Sequence, residues 1–241
     1  MKGIQAKTVV ISGALGGIGR AIIRAFDPYQ VQFLLLDVVE EDATFFAELK
    51  SQVTYTALDL SSIDQINAWG EQLKQTHTKI DFIVHAAGVY EHIDLEDLSF
   101  ERWNQQINLN LNANYYLIKT LHRFLNPDSA IVNISSIAGH QGSIAHTAYA
   151  TAKGGVAALT KSLALELAPH TRVNTVSPGL IDTRMMQGMT DEKRRAMIAA
   201  TPLARLGQPE EIADVILFLC SQAASFITGE TIHVNGGLYR Q

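Results

Sequence analysis

The sequence predicts a single α/β domain organised as a doubly wound parallel sheet of six or seven strands flanked by helices. Short β-rich runs alternate with longer segments of helical periodicity along the whole chain, the pattern of strands joined by helical crossovers. A glycine-rich turn joins the first of these strands directly to the first helix. No linker, repeat or shift in composition divides the 241 residues, which suffice to bury one substantial core.

The elements follow in order. Val9-Val10-Ile11 opens the chain as a strand and Arg20-Ala21-Ile22-Ile23-Arg24-Ala25-Phe26 has helical character. Phe33-Leu34-Leu35-Leu36 is the second apolar run. Ser61-Ser62-Ile63-Asp64 carries residues suited to a helix N-terminus. Phe82-Ile83-Val84, Ala130-Ile131-Val132-Asn133-Ile134, Arg172-Val173-Asn174-Thr175-Val176 and Thr231-Ile232-His233-Val234 complete the strand candidates. Between Pro178 and Pro202 lie Gly179, Gly188 and three of the five methionines, Met185, Met186 and Met189. Residues 184–205 therefore read as a mobile insert with one or two short helices, a lid over a substrate, in which Asp191-Glu192 would open a helix. The methionines either shape an adaptable apolar pocket or pack the lid on the core.

Composition excludes several classes. With 47% hydrophobic and 18% charged residues the chain is globular, not disordered. A net charge of −5, with no basic cluster beyond Lys193-Arg194-Arg195, argues against nucleic acid or an anionic membrane as partner. No apolar run reaches the roughly 18 residues of a membrane span, and Met1-Lys2-Gly3-Ile4 does not open a signal peptide. The single cysteine, Cys220, sits in an apolar run and reads as a buried small residue, so a cytoplasmic setting is expected.

Ser12-Gly13-Ala14-Leu15-Gly16-Gly17-Ile18-Gly19 supplies the strand, turn and helix context of a dinucleotide site. Glycine lets the backbone approach a pyrophosphate, and the helix N-terminus offers unpaired N–H groups. Asp37 ends the second strand, 18 residues after Gly19, where a carboxylate accepts hydrogen bonds from both adenosine ribose hydroxyls. A 2′-phosphate there would meet like charge, and neither the turn nor Asp37's sequence neighbours offers Arg or Lys to offset it. NAD(H) is expected over NADP(H).

Thirteen residues beyond Ser136 comes Tyr149-Ala150-Thr151-Ala152-Lys153. At this i, i+4 spacing the tyrosine and lysine share a helix face, ~400° and ~6 Å apart. Hydride transfer at an alcohol carbon requires a group that takes or gives the hydroxyl proton, and a nearby ammonium favours the phenolate of a tyrosine otherwise too weak a base. Ser136 is placed to hydrogen-bond the substrate oxygen. No His, Asp, Glu or Cys set has metal-ligand spacing, and Ser136 lacks the Gly-x-Ser-x-Gly elbow of a hydrolase nucleophile.

In these segments, together with Asp59-Leu60, His85-Ala86-Ala87-Gly88, Asn110 and Ser177-Pro178-Gly179-Leu180-Ile181-Asp182-Thr183, the chain resembles the short-chain dehydrogenase/reductase family from Lys7 to Gly237. The resemblance implies a Rossmann fold, with Tyr149 as acid/base and Lys153 holding the nicotinamide ribose while lowering the tyrosine pKa. It implies that Asn110, seven residues after Trp103, anchors a water in a proton relay, in preference to Asn108 or Asn112. It also implies that Asp59 contacts adenine, that the segment through Ala87 and Gly88 lies against the cofactor, and that Ile181 and Thr183 position the carboxamide. A homotetramer is implied, with the Tyr149 helix and the helix of residues 112–125 at one interface and the C-terminal segment at another.

Three positions depart from the family pattern: Ser12 stands for Thr, His85-Ala86 for a pair of asparagines, and Asn235 for Asp. How the His85-Ala86 turn is held is not given by the sequence. His140 and His146, between Ser136 and Tyr149, are either pocket residues or solvent-facing loop histidines. The expected activity is NAD(H)-linked interconversion of a secondary alcohol and a ketone. Two alternatives stand beside it. The segment from Pro202-Leu203-Ala204-Arg205 to Ile212 looks like the 3-oxoacyl-carrier-protein reductase branch, which usually prefers NADPH, and a dinucleotide-binding sensor would keep the fold without turnover.

Overall fold

The computed structural model describes residues 1–183 and 190–240. Seven parallel strands, β1 (Thr8–Ser12), β2 (Gln32–Asp37), β3 (Gln52–Ala57), β4 (Ile80–His85), β5 (Leu125–Ile134), β6 (Thr171–Pro178) and β7 (Thr231–Val234), form one sheet. Their order is β3-β2-β1-β4-β5-β6-β7. The direction of winding reverses between β1 and β4, which leaves a crevice at the carboxyl ends of those strands.

Six strands coincide with the apolar runs. The seventh, β3, is an edge strand of alternating partly buried residues, and its polar Gln52, Thr54 and Thr56 hide it from a search for apolar runs. Helices α1 (Gly17–Phe26) and α9 (Pro209–Cys220) cover one face, where Ile22, Phe26 and Ile216 meet Val9, Ile11, Phe33 and Val84. Cys220 is buried in this layer. Helices α3 (Ile63–Gln75), α5 (Ala113–Leu121) and α7 (Thr147–Glu166) cover the other, around Val10, Leu34, Ile83 and Ile131.

The helices begin differently. Short α2 (Ala43–Ala47), α3 and α4 (Phe100–Ile107) are capped by the side chains of Asp42, Ser62 and Ser99, each accepting a backbone N–H. Helix α1 has no side-chain cap at Gly16, so its first-turn N–H groups face the crevice without a protein side chain to accept them. A single π-helical turn, Asn108–Asn112, joins α4 to α5. Short α6 (Ala138–Gln141) follows β5, and α8 (Asp191–Ala200) supplies the helix expected after Thr190. Residues 184–189 of the expected lid, with Met185, Met186 and Met189, lie outside the described residues.

Candidate active site

At the carboxyl ends of the strands the sheet turns polar. Ser12, His85, Asn133 and Thr175 stand side by side in register across β1, β4, β5 and β6. All four are buried. The Asn133 amide donates to Thr160 of α7 at 2.8 Å, and Thr175 donates to the same hydroxyl at 2.7 Å.

The glycine turn is fixed by close backbone contacts. Gly13 has φ +66, and a Cβ there would lie 2.6 Å from the Ala87 nitrogen of the neighbouring turn. A Cβ on Gly19 would lie 2.1 Å from the Gly13 carbonyl oxygen. The His85-Ala86 turn is held from the same side: Ala86 N–H donates to Ser12 O at 3.0 Å, and the Ser12 hydroxyl and His85 Nδ1 share a 2.8 Å hydrogen bond. Burial, assisted by the Lys153 charge, drives the His85 pKa down to about 3, so the ring is neutral. Ser12 thus replaces a threonine hydroxyl and acquires a histidine partner.

Asp37 extends from the end of β2 to the same turn, its Oδ2 accepting Leu15 N–H at 2.9 Å and its Oδ1 accepting Val38 N–H at 2.8 Å. Each oxygen keeps a lone pair for a ribose hydroxyl. The turn from Ala14 to Gly17 holds no cation of its own, but Arg20 of α1 reaches back to it. Arg20 Nε donates to Leu15 O at 3.1 Å, and its guanidinium is neutralised by Asp42 at 2.7 Å and lies over the Phe45 ring. Leu58 N–H donates to Asp37 O, which brings Asp59 beside the end of β2; the Asp59 carboxylate itself accepts from Ser61 N–H and Oγ–H, and Leu60 is buried in the core. These glycines, the uncapped α1 and the free lone pairs of Asp37 fit a dinucleotide.

On the far side, Gly88, Asn110 and Lys153 converge. A Cβ on Gly88 would sit 2.8 Å from Asn110 Oδ1 and 3.4 Å from Lys153 Nζ. Asn110, fully buried in the π turn, accepts Val89 N–H with Oδ1 and donates from Nδ2 to both oxygens of Gln106. Asn108 and Asn112 point elsewhere, with Asn108 donating to Ser61 O and accepting from Asn112. Lys153 donates to Ile134 O at 2.9 Å, and its ammonium lies 5.7 Å from the centre of the Tyr149 ring.

Tyr149 is buried near Ser136, whose hydroxyl oxygen accepts Ala138 N–H at 3.2 Å. The depressed tyrosine pKa expected from Lys153 is not what this arrangement gives: burial pushes Tyr149 up to about 12, outweighing the opposing influence of the nearby Ser136 hydroxyl. Burial also brings Lys153 down to about 8. Ser135, unforeseen from the sequence, ties β5 to α7 by donating to Lys153 O at 2.7 Å. Gly139 and Gly154 let α6 and α7 touch, since a Cβ on Gly139 would lie 2.6 Å from Gly154 N. Two glycines facing each other across a turn are the signal for that contact.

The 178–183 segment closes the crevice. Ile137 N–H donates to Pro178 O, a Cβ on Gly179 would strike Asn235 Cα at 2.7 Å, and Ile181 bridges to Gly207. A Cβ on Gly17 would come within 3.0 Å of the Thr183 methyl, so Thr183 lies over the start of α1, while Ile18 packs into the core beneath it. Asn235 accepts Gly237 N–H and donates to Tyr239 O, holding the C-terminal turn. His140 packs with His233 and Tyr239, away from Tyr149, whereas His146 stacks on Tyr90, itself edge-on to Tyr149.

The family model described as Enoyl-(Acyl carrier protein) reductase matches residues 13–239. The chain is 36% identical over 240 residues to the 3-oxoacyl-[acyl-carrier-protein] reductase of Vibrio harveyi, covering 98% of each chain. It belongs to the short-chain dehydrogenase/reductase family. The reductase of the same name from Thermotoga maritima is 34% identical, again over 98% of each chain. Among solved structures, a Brucella melitensis short-chain dehydrogenase/reductase titled glucose/ribitol dehydrogenase superposes with a TM-score of 0.94 at 40% identity over all of both chains. The ligand-free aldohexose dehydrogenase of Thermoplasma acidophilum gives 0.89 at 32% identity, covering 98% of this chain and 94% of that one. As a member of this family the chain is an oxidoreductase acting on CH–OH and keto groups. Among the described residues no helix is long and apolar enough to cross a membrane, and no cluster of three metal-ligating side chains occurs.

Proposed function

We propose that this chain is an NAD(H)-dependent oxidoreductase that interconverts a secondary alcohol and a ketone, with Tyr149 as acid/base. The observation that carries this reading is the buried Tyr149 ring with the Lys153 ammonium 5.7 Å from its centre and the Ser136 hydroxyl near it. Bound nicotinamide gives or takes the hydride. The remaining work falls to the chain. Ser136 directs its hydroxyl at the substrate oxygen, and Tyr149, protonated at neutral pH, donates its proton to the oxygen as a ketone is reduced. The tyrosinate left behind is stabilised by Lys153, whose pKa of about 8 keeps it charged at pH 7. Asn110, 0% exposed and facing the same glycine, is placed to hold a water that resupplies the proton. Lys153 would also hold the ribose, with Gly13, Gly17, Ile18 and Gly19 at the pyrophosphate and Ile181 and Thr183 at the carboxamide.

Tyr149→Phe should lower kcat by roughly 10²–10⁴ while NADH binding, followed by fluorescence, is nearly unchanged. Full activity in this variant would overturn the assignment.

The preference for NAD(H) rests on Asp37, whose carboxylate meets the adenosine end of the crevice, and on Asp42, which neutralises Arg20. Asp37→Ala should lower the ratio of kcat/KM for NADH over NADPH at least tenfold. A wild-type enzyme that works better with NADPH refutes this half of the proposal. The second reading, a 3-oxoacyl-carrier-protein reductase, draws on the relatives at 34–36% identity; the solved structures carry sugar-dehydrogenase titles instead. The sensor reading loses ground because Tyr149 and Lys153 are both present and adjacent.

A homotetramer is supported by the apolar side chains that α5 and α7 leave exposed, Tyr115 and Leu165, and by exposed Phe226 before β7. Light scattering that gave a monomer would rule it out.

A further inference from the structure

The turn after β7 lies against two segments that border the crevice. Gly179 N–H donates to Val234 O at 3.0 Å, and a Cβ on Gly179 would meet Asn235 Cα at 2.7 Å. Leu203 N–H, at the end of the expected lid, donates to Gly236 O at 3.1 Å. A Cβ on Gly236 would press on the Thr201 methyl at 2.7 Å, and one on Gly237 on Pro202 at 3.0 Å. Residues 235–239 thus tie the 178–183 segment to the chain that follows α8.

The turn is itself fastened by rings. Asn235 Nδ2 donates to Tyr239 O, and Tyr239 stacks on His140 of α6 with ring centres 5.4 Å apart and planes at 25°. Tyr239 also packs on His233 of β7 at 5.0 Å, and the two imidazoles meet edge-on at 4.7 Å. His140 Nε2 and both nitrogens of His233 are buried with no hydrogen-bond partner among the described residues. A neutral imidazole packs here as an aromatic ring. An imidazolium carries two N–H donors and a charge that need acceptors or water.

The charges around the pair are cations. His140 faces His233 and Lys161 of α7, and Arg240 donates to Gly237 O within the turn. Burial, aided by His233 and Lys161, holds His140 below its ordinary 6.5, and burial does the same to His233. The clasp is therefore fully stable above about 6.5 and weakens as protons are taken up below it.

Resting on the reading that Ile181 and Thr183 hold the carboxamide, we propose that the turn after β7 is a strap positioning the 178–183 segment for the nicotinamide. His140 and His233 are its catch, closed on Tyr239 at neutral pH and released by acid.

Hydrogen–deuterium exchange at pH 5 and pH 7.5, each corrected for intrinsic rate, follows the strap, and calorimetry follows NAD⁺ binding. In the wild type at pH 5, protection of residues 201–205 and 231–239 should fall roughly tenfold while β4 keeps its own, and the Kd for NAD⁺ should rise by a similar factor. His140→Phe combined with His233→Phe keeps the rings and takes up no proton, so both quantities should change less than about threefold between the two conditions. Tyr239→Ala removes the clasp and should show at pH 7.5 what the wild type shows only at pH 5. Equal protection at both pH values, loss that includes β4, or an equally steep fall in the double phenylalanine variant overturns the catch and leaves the carboxamide placement intact. Release of the strap with an unchanged Kd overturns the proposal through that placement.

Discussion

On the β1 side of the crevice the wall is backbone. Gly13, Gly17 and Gly19 sit where an added Cβ would meet the Ala87 nitrogen, the Thr183 methyl and the Gly13 carbonyl. On the β5 side the wall is side chains carried by loops, with Tyr90, His92 and His146 held near Tyr149 by ring contacts and one backbone bond between loops. A backbone wall accepts few residues and serves a ligand common to many enzymes. A wall of loop side chains can change without disturbing the fold, as binding loops on a rigid scaffold commonly do.

The largest test of this contrast is Gly19→Ala. Its Cβ would fall 2.1 Å from Gly13 O, so urea unfolding should show a loss of about 3 kcal/mol and NADH binding should fail. Tyr90→Ala on the opposite wall should cost no more than about 1 kcal/mol. Equal losses would erase the distinction.

A smaller effect concerns pH. Tyr149, pushed up to about 12, remains a proton donor across the neutral range, whereas Lys153, brought down to about 8, loses its charge as pH rises through that value. Ketone reduction at saturating NADH should be level from pH 6 to 7 and decline through about pH 8. A rate that climbed across this interval would contradict the roles given to both residues.

The most gradual effect, spread over several pH units, belongs to His85, at the boundary of the two walls. Its folded pKa of about 3 lies below its ordinary 6.5, so on acidification the unfolded chain binds a proton that the native chain refuses. Stability therefore falls as pH drops from about 6.5 towards 3, by at most ~1.4 kcal/mol per unit. His85→Asn should flatten that slope in urea titrations; an unchanged slope would place the acid sensitivity elsewhere.

The same contrast governs what the sequence discloses. The glycine turn, six strands and the Tyr149–Lys153 spacing depend on neighbours within a few residues, and each is readable from local pattern. Strand β3 escapes a reading by apolar runs because its β-forming residues, Val53-Thr54-Tyr55-Thr56, alternate apolar or aromatic side chains with threonine, as a half-solvated edge strand does. The Ser12–His85 bond joins residues 73 apart, and the Tyr90–His146 stack joins loops from two different crossovers. No spacing rule announces such pairs. The tyrosine pKa is misread for a related reason: sequence shows the lysine four residues away but not the burial that raises the tyrosine.

Arg20 carries one last consequence. A guanidinium already stands at the Leu15 peptide, whose N–H is bonded to Asp37, and it is restrained there by the Asp42 carboxylate and the Phe45 ring. A phosphate-accepting cation would therefore not have to be gained for this chain to change its dinucleotide. If the proposed NAD(H) preference holds, it is set by the carboxylates of Asp37 and Asp42 that mask the arginine and not by whether an arginine is present, so in evolutionary terms it is a short and reversible step.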